Sequence, residues 1–355
     1  MVRIPIGYWA FEQLDEDPYV YGQEDYLDKA IEWSRNHGLK VWIDLHGAPG
    51  SQNGFDNSGL SNRIDWQKKE ENINMTLSVL NYISTKYGGK EYLDVITGIE
   101  ILNEPLGPRL SMKKLHDFYK DAYYTLRETT DNNLVYHDAF QAVGYWDYRL
   151  NGHIVAANNT YSDLVNLSAS VANSNYERVV IDYHHYEVFG VGELKDNIAE
   201  HLSSVKGYGH AVAGTRHPAV IGEWSAALTD CAPWLNGVRR GARYDATYLN
   251  DEFIGSCEGI SDFSTWNSSF KESVGKFIEA QLDAYNMISG WVFWCYKTEN
   301  AIEWDLSKLI EHDLFPQPLD KRVYTSLSVS LHQRFSRSTM ILQLLLVLTA
   351  VCVLQ

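Results

Sequence analysis

Val95-Ile96-Thr97-Gly98-Ile99-Glu100-Ile101-Leu102-Asn103-Glu104-Pro105 and Ala219-Val220-Ile221-Gly222-Glu223-Trp224 are short apolar runs that each close on a glutamate. A carboxylate at the end of a buried strand loses hydration unless it gains partners, so two of them in one chain need a reason. One reason is structural, each glutamate satisfying a nearby arginine or backbone amide. The other is catalytic, because paired carboxylates flanking a scissile bond carry out most glycoside hydrolysis. Further apolar or β-branched runs lie at 2–8, 40–46, 134–140, 179–189 and 290–296, giving seven in all. Amphipathic stretches separate most of them, including Glu24 to Asn36, Asn72 to Lys86, Ser111 to Arg127 and Lys271 to Met287. This alternation predicts parallel strands joined by helical crossovers, in an α/β barrel or an open doubly wound sheet.

The polar residues at the run ends decide between them. Arg3, Asp44 with His46, Asn103 with Glu104, His137 with Asp138, His184 with Tyr186, Glu223, and Trp294 with Lys297 close successive runs. Barrel enzymes draw their chemistry from the C-terminal ends of several strands, whereas an open sheet concentrates it at one switch point. No G-x-G-x-x-G follows a strand, so a nucleotide-binding sheet has no support. A single barrel of roughly 250 residues with insertions accommodates the 355-residue chain without a second core.

Composition narrows the ligand. The formal charge of −16, without a Lys/Arg run, argues against nucleic acid and anionic membranes and favours a neutral substrate. Eleven Trp and 23 Tyr exceed what a core requires, and flat amphipathic rings suit the apolar faces of sugars. None of Cys231, Cys257, Cys295 and Cys352 lies in a zinc-binding spacing, so neither a metal nor an organic cofactor is expected. Sequons at Asn74, Asn158, Asn166 and Asn267 favour a secreted glycoprotein. No obligate protein partner is evident.

Six segments together resemble the fungal exo-β-1,3-glucanases of glycoside hydrolase family 5: Val2 to Trp9, Asp44 to Gly54, Leu102-Asn103-Glu104-Pro105, His184-His185-Tyr186, Gly222-Glu223-Trp224-Ser225 and Lys297-Thr298-Glu299-Asn300. The resemblance runs in order from Val2 to about Arg322 and implies a (β/α)8 TIM barrel. It implies glucose release from the non-reducing ends of β-1,3-glucan, in cell-wall metabolism. Glu104 corresponds to the general acid/base and Glu223 to the nucleophile of a retaining mechanism, which requires Glu104 to hold a proton near neutral pH. Arg3 is expected to keep Glu223 charged and Tyr186 to donate to it. Asn103 takes the position that binds the sugar 2-hydroxyl, His46 and His184 line the first subsite, and Trp294 lies beneath the glucose ring. Phe55 and Phe189 correspond to aromatics at the pocket mouth, and Asp56 and Asn57 to the loop that blocks the non-reducing end. Asp138 and the Lys297/Glu299 pair are equally well explained as buried structural groups. An endo-acting glucanase or cellulase and an inactive glucan-binding protein are the alternatives, which a laminarin assay and the shape of the Phe55–Asn57 loop distinguish.

Two departures from the family bear on the ends of the chain. The resemblance implies one β-α unit and a secretion signal ahead of Val2, so the barrel at 1–322 is expected to lack its first unit. An atypical tail at 323–355 follows, apolar from Met340 to Leu354 apart from Gln343 and Thr349. With small residues at Ser326, Ser328 and Ser330 it resembles a glycolipid-anchor signal, although misread intron sequence is the preferred account. A barrel short of one strand exposes unpaired backbone at about 1–3 kcal/mol per buried group, against a domain stability of ~5–15 kcal/mol. The 355-residue form is therefore expected to fold poorly or to lack activity beside an extended form. Equal thermal stability and equal glucose release from laminarin in the two forms would contradict this.

Overall fold

The computed structural model describes residues 1–150, 178–248 and 252–324. Asn158, Asn166 and the apolar tail lie outside the described residues. Seven parallel strands form one sheet: β1 (Val2–Gly7), β2 (Val41–Gly47), β3 (Ile96–Glu100), β4 (Asn133–His137), β5 (Val179–His184), β6 (Ala219–Glu223) and β7 (Gly290–Trp291). Each strand pairs with its neighbour in chain order, without the reversal that defines a doubly wound sheet. This is the wall of an α/β barrel.

Strand boundaries differ from the sequence runs for local reasons. β4 stops at His137 because Ala139 and Phe140 have φ of 58° and 55° and turn the chain out of the sheet. The run 290–296 pairs in regular register only over Gly290–Trp291, but Val292 N and Trp294 N still donate to Ile221 O and Trp224 O at 2.8 Å. The polypeptide thus continues alongside β6 as far as Trp294.

Alternation along the strands divides the buried side chains into two sets. Val41, Ile43 and Leu45 of β2, with Ile99, Ile181 and Ile221, belong to the large core between sheet and helices. Trp42, Val135, Val180 and Val220 form a separate cluster. Two residues further along the same faces stand Asp44, His137 and Asp182, all fully buried, in line with Arg3 and Glu100 of the flanking strands. An apolar plug therefore fills the base of the barrel, and a charged layer sits directly above it.

Helices cover the outside. α1 (Gln23–Asn36) buries Leu27, Ile31 and Ser34, one face at helical spacing. α2 (Glu70–Tyr87) follows β2, and α3 (Met112–Arg127) starts at Ser111, whose hydroxyl accepts from Lys114 N. α4 (Ile198–Ala213) begins with a capping box: Asn197 Oδ1 accepts from Ala199 N and Glu200 N, and Glu200 accepts from Asn197 N. α5 (Ser268–Tyr285) is capped by Asn267. Among the described residues no helix is long and apolar enough to cross a membrane.

Gly209 lets α4 approach α5 closely. A Cβ there would lie 2.8 Å from Ala284 Cβ and 2.9 Å from its carbonyl oxygen. Gly209→Ala is expected to cost about 1–3 kcal/mol through overpacking, read as a lower urea midpoint with the slope unchanged.

Candidate active site

Arg3 projects from β1 into the charged layer, with its side chain 1% exposed. Nη1 donates to Glu223 Oε1 at 2.7 Å, Nη2 to Asn103 Oδ1 at 2.7 Å, and Nε to Glu100 Oε2 at 2.6 Å. Nη2 also reaches Glu100 Oε1 at 3.0 Å and lies 3.2 Å from Asp44 Oδ2. A planar fork of five donors can meet several fixed oxygens at once, which an ammonium cannot. Burial opposes the charge on Arg3, but Asp44, Glu100 and Glu223 outweigh it and push the pKa well above the usual value. Glu223, at the end of β6, accepts a second bond at Oε2 from the Tyr186 hydroxyl at 2.9 Å.

Glu104 follows β3 on a turn and has φ of 44°, a left-handed conformation unusual for a side-chain-bearing residue. Gln52 braces that turn, its Nε2 donating to the carbonyls of His46 and Asn103 at 2.8 and 2.9 Å. His184 of β5 bridges the two glutamates, with Nδ1 2.8 Å from Glu104 Oε1 and 3.4 Å from Glu223 Oε2. One imidazole nitrogen thus stands between the two carboxylates.

The surroundings shift Glu104 and His184 in opposite directions. Burial raises the Glu104 carboxyl, but the hydrogen bond and charge of His184, with His46 and Arg3, bring it below its usual value. Burial disfavours an imidazolium at His184, yet the charges of Glu223 and Asp182 and the bond to Glu104 lift its pKa well above normal. Both shifts run toward a charged His184–Glu104 pair, opposite in direction to the raised carboxyl expected of an acid.

Residues 1–255 match the sequence profile described as cellulase, glycosyl hydrolase family 5. The chain belongs to glycosyl hydrolase family 5. It is 51% identical over 332 residues to a glucan 1,3-beta-glucosidase of Lachancea kluyveri, covering 91% of this chain and 71% of that protein. It is 47% identical over 332 residues to glucan 1,3-beta-glucosidase I/II of Saccharomyces cerevisiae, covering 91% and 69%. A solved structure of a rutinosidase from Aspergillus niger superposes with a TM-score of 0.60 at 15% identity, over 88% of this chain and 78% of that one. At that identity it shows a shared fold.

Within this family framework, the remaining sequence candidates separate into those inside the site and those at its rim. His46 Nδ1 bonds Asp44 Oδ2 at 2.7 Å, its Nε2 lies 3.3 Å from Asn103 Nδ2, and its ring stacks on Trp294 at 5.7 Å. Phe55 and Phe189 are 41% and 45% exposed, enough to offer a ring face. Their ring neighbours differ: Phe140 at 6.5 Å for Phe55 and Tyr186 at 5.5 Å for Phe189. Asp56 and Asn57 are exposed on the loop after β2, and Asp56 Oδ2 accepts from Val238 N at 3.2 Å. Lys297 and Glu299 are exposed, so the buried ion-pair reading of them fails. Asp138 is buried, accepts from Phe140 N, and is raised to about 7, chiefly by burial.

Sequence reading missed Glu100 and Asp182 as members of the charged layer. The signal was available in the period of two, which puts Glu100 in step with Glu104 and Asp182 in step with His184. Glu104/His137/His184 and Glu100/Asp182/His184 are the described groups close enough to be considered as metal ligands. Both depend on His184, which already faces three carboxylates, and the second lies against the Arg3 guanidinium. A cation there would displace an existing one, so the donor set does not fit a resident metal.

Removing the Arg3 charge leaves buried carboxylates uncompensated. Arg3→Met is expected to lose roughly 3–5 kcal/mol at neutral pH by urea unfolding. Burial raises the Asp44 carboxyl, but Arg3 and His46 bring it below its usual value, so its contribution exists above the unfolded-state pKa and disappears as pH falls through the folded one. The gap between wild type and variant should therefore narrow on acidification.

Proposed function

We propose that this glycoside hydrolase releases glucose from the non-reducing ends of β-1,3-glucan with retention of configuration. The observation that carries the reading is the meeting of Glu104 and Glu223 on one imidazole nitrogen, with Arg3 and Tyr186 donating to Glu223, which gathers the two carboxylates that a double displacement needs. Glu223 is the nucleophile: Arg3 and Tyr186 donate to its two oxygens and orient it. Glu104 is the acid/base, on a turn that brings it beside the leaving oxygen. Asn103, fixed by Arg3 and Gln52, is placed to meet the sugar 2-hydroxyl. Trp294 supplies the platform under the ring, and Phe55 and Phe189 flank the entrance.

Similarity to proteins named glucan 1,3-beta-glucosidases favours the exo reading over an endo-glucanase. Cross-loop contacts also support a closed pocket. Val238 N donates to Asp56, and Arg240 Nη2 donates to Asn62 Oδ1 at 2.8 Å, joining the loops after β2 and β6. The Cys231–Cys257 disulfide anchors the second loop and supports a secreted protein, since such bonds persist in oxidising compartments. Exposed Asn74 and the capping Asn267 are proposed glycan acceptors, and cell-wall glucan is the proposed substrate.

Glu223→Gln is expected to abolish the covalent glucosyl-enzyme, read by mass spectrometry with a slow-turnover 2-fluoro glucoside. Glu104→Ala should keep activity on aryl glucosides with good leaving groups and be accelerated by azide, giving β-glucosyl azide. β-Glucose should be the first product from laminarin. Release of α-glucose would overturn the assignment.

A further inference from the structure

Trp9 follows β1 on a short 3-10 turn, Tyr8–Ala10, and its indole lies where three glycines leave room for it. A Cβ on Gly7, the last residue of β1, would come 2.4 Å from the Trp9 ring. One on Gly47, the last residue of β2, would come 2.8 Å from it. A Cβ on Gly59 would also lie 2.8 Å from that ring, and 2.4 Å from the Tyr19 hydroxyl. Any larger residue at these positions forces the rings or the backbone to move. Tyr19 stacks on the indole, with ring centroids 4.1 Å apart and planes 21° from parallel, and both rings pack against the main core.

Gly59 ties this assembly to the pocket wall. Its N–H donates to Asp56 O at 3.1 Å, closing the turn Asp56–Ser58 that also carries Asn57. Ser58 Oγ donates to Phe55 O at 2.8 Å and lies 2.6 Å from Ser51 Oγ, so the turn and Phe55 are linked. A Cβ on Gly47 would stand 2.9 Å from Ser58 O, so the turn rests directly on the end of β2, next to His46. On its outer side the loop is held by exposed contacts, Asp56 with Val238 N and Asn62 with Arg240. Exposed hydrogen bonds exchange readily with water and hold a loop weakly. The packed indole is the stop against which the turn is placed.

We infer that Trp9 is a specificity-determining positioning residue. Its indole, between Gly47 and Gly59, fixes the Asp56–Ser58 turn and so limits the pocket to one glucose on the non-reducing side of the scissile bond. This rests on the exo-acting reading proposed above. Trp9 takes no part in the chemistry, since Arg3, Tyr186 and His184 set the two glutamates. Without the ring the turn loses its fixed position. A second glucose can then pass beyond the first, and the same two glutamates cut one bond further from the chain end. The product becomes laminaribiose in place of glucose.

Trp9→Leu tests this on laminaripentaose reduced at its reducing end, with the first products separated by chromatography. Wild type should release glucose. In Trp9→Leu the share of laminaribiose should rise at least about tenfold, a modest loss of discrimination for a pocket wall. Trp9→Phe, which keeps a ring against Tyr19, should return most of the product to glucose. Gly59→Ala presses on the same contact from the loop side and should also raise laminaribiose, so it decides the matter if Trp9→Leu does not fold. Gly209→Ala, destabilised between the outer helices, should release glucose alone. Unchanged products in Trp9→Leu and Gly59→Ala, or laminaribiose from Gly209→Ala as well, would overturn the inference. Laminaribiose or longer fragments from wild type would instead overturn the exo reading beneath it.

Discussion

One arginine inside a ring of acids is the constraint around which the rest of the barrel is arranged. Arg3 touches Glu100, Asn103 and Glu223 directly and lies close to Asp44, so β1, β3, β6 and the turn after β3 converge on one planar group. Such an arrangement is unfavourable in isolation, because taking several charges out of water costs more than most ion pairs return. It is tolerated here because each acid has a specific donor or cation and the apolar plug below keeps the layer in place. The result is a pair of glutamates whose separation is set by buried contacts.

The two glutamates occupy unequal surroundings. Glu223 accepts from a guanidinium and a phenol, whereas Glu104 meets His184 and sits on a left-handed backbone. Environments that push two carboxylates apart are what an acid and a nucleophile need. In this protein the difference runs through an imidazole: His184 lies between the two carboxylates and lowers the Glu104 carboxyl against the effect of burial. Backbone strain at Glu104 is sustained by Gln52, whose amide ties the loops after β2 and β3 together.

The rim is built by different physics. The loops after β2 and β6 meet through exposed contacts, Asp56 with Val238 and Asn62 with Arg240, which are individually weak. The Cys231–Cys257 bridge and the buried Asp230, which accepts from the backbone of Arg243 and Tyr244, restrict the second loop. A rigid floor thus carries loops stabilised mainly by their own internal links.

Periodicity in the chain was enough to locate the seven strands and the helices α1, α2, α3 and α5, because alternating and helical apolar patterns report directly on which faces are buried. The strand-end positions of Arg3, Asn103, Glu104, Tyr186 and Glu223 marked much of the candidate site in the sequence, and the family resemblance added His46, His184 and Trp294, which position alone leaves as structural residues. Glu100 and Asp182 were not recognised, since an acid within an apolar run carries no mark of its partner until Arg3 and Gly222 are brought beside it. The roles of Asp56, Lys297 and Glu299 were likewise beyond reach, because exposure and cross-loop contacts depend on loops far apart in sequence. The lowering of the Glu104 carboxyl was beyond reach for the same reason: the shift of a buried group is set by every neighbouring charge at once, and only the tertiary structure brings His184 between the two glutamates.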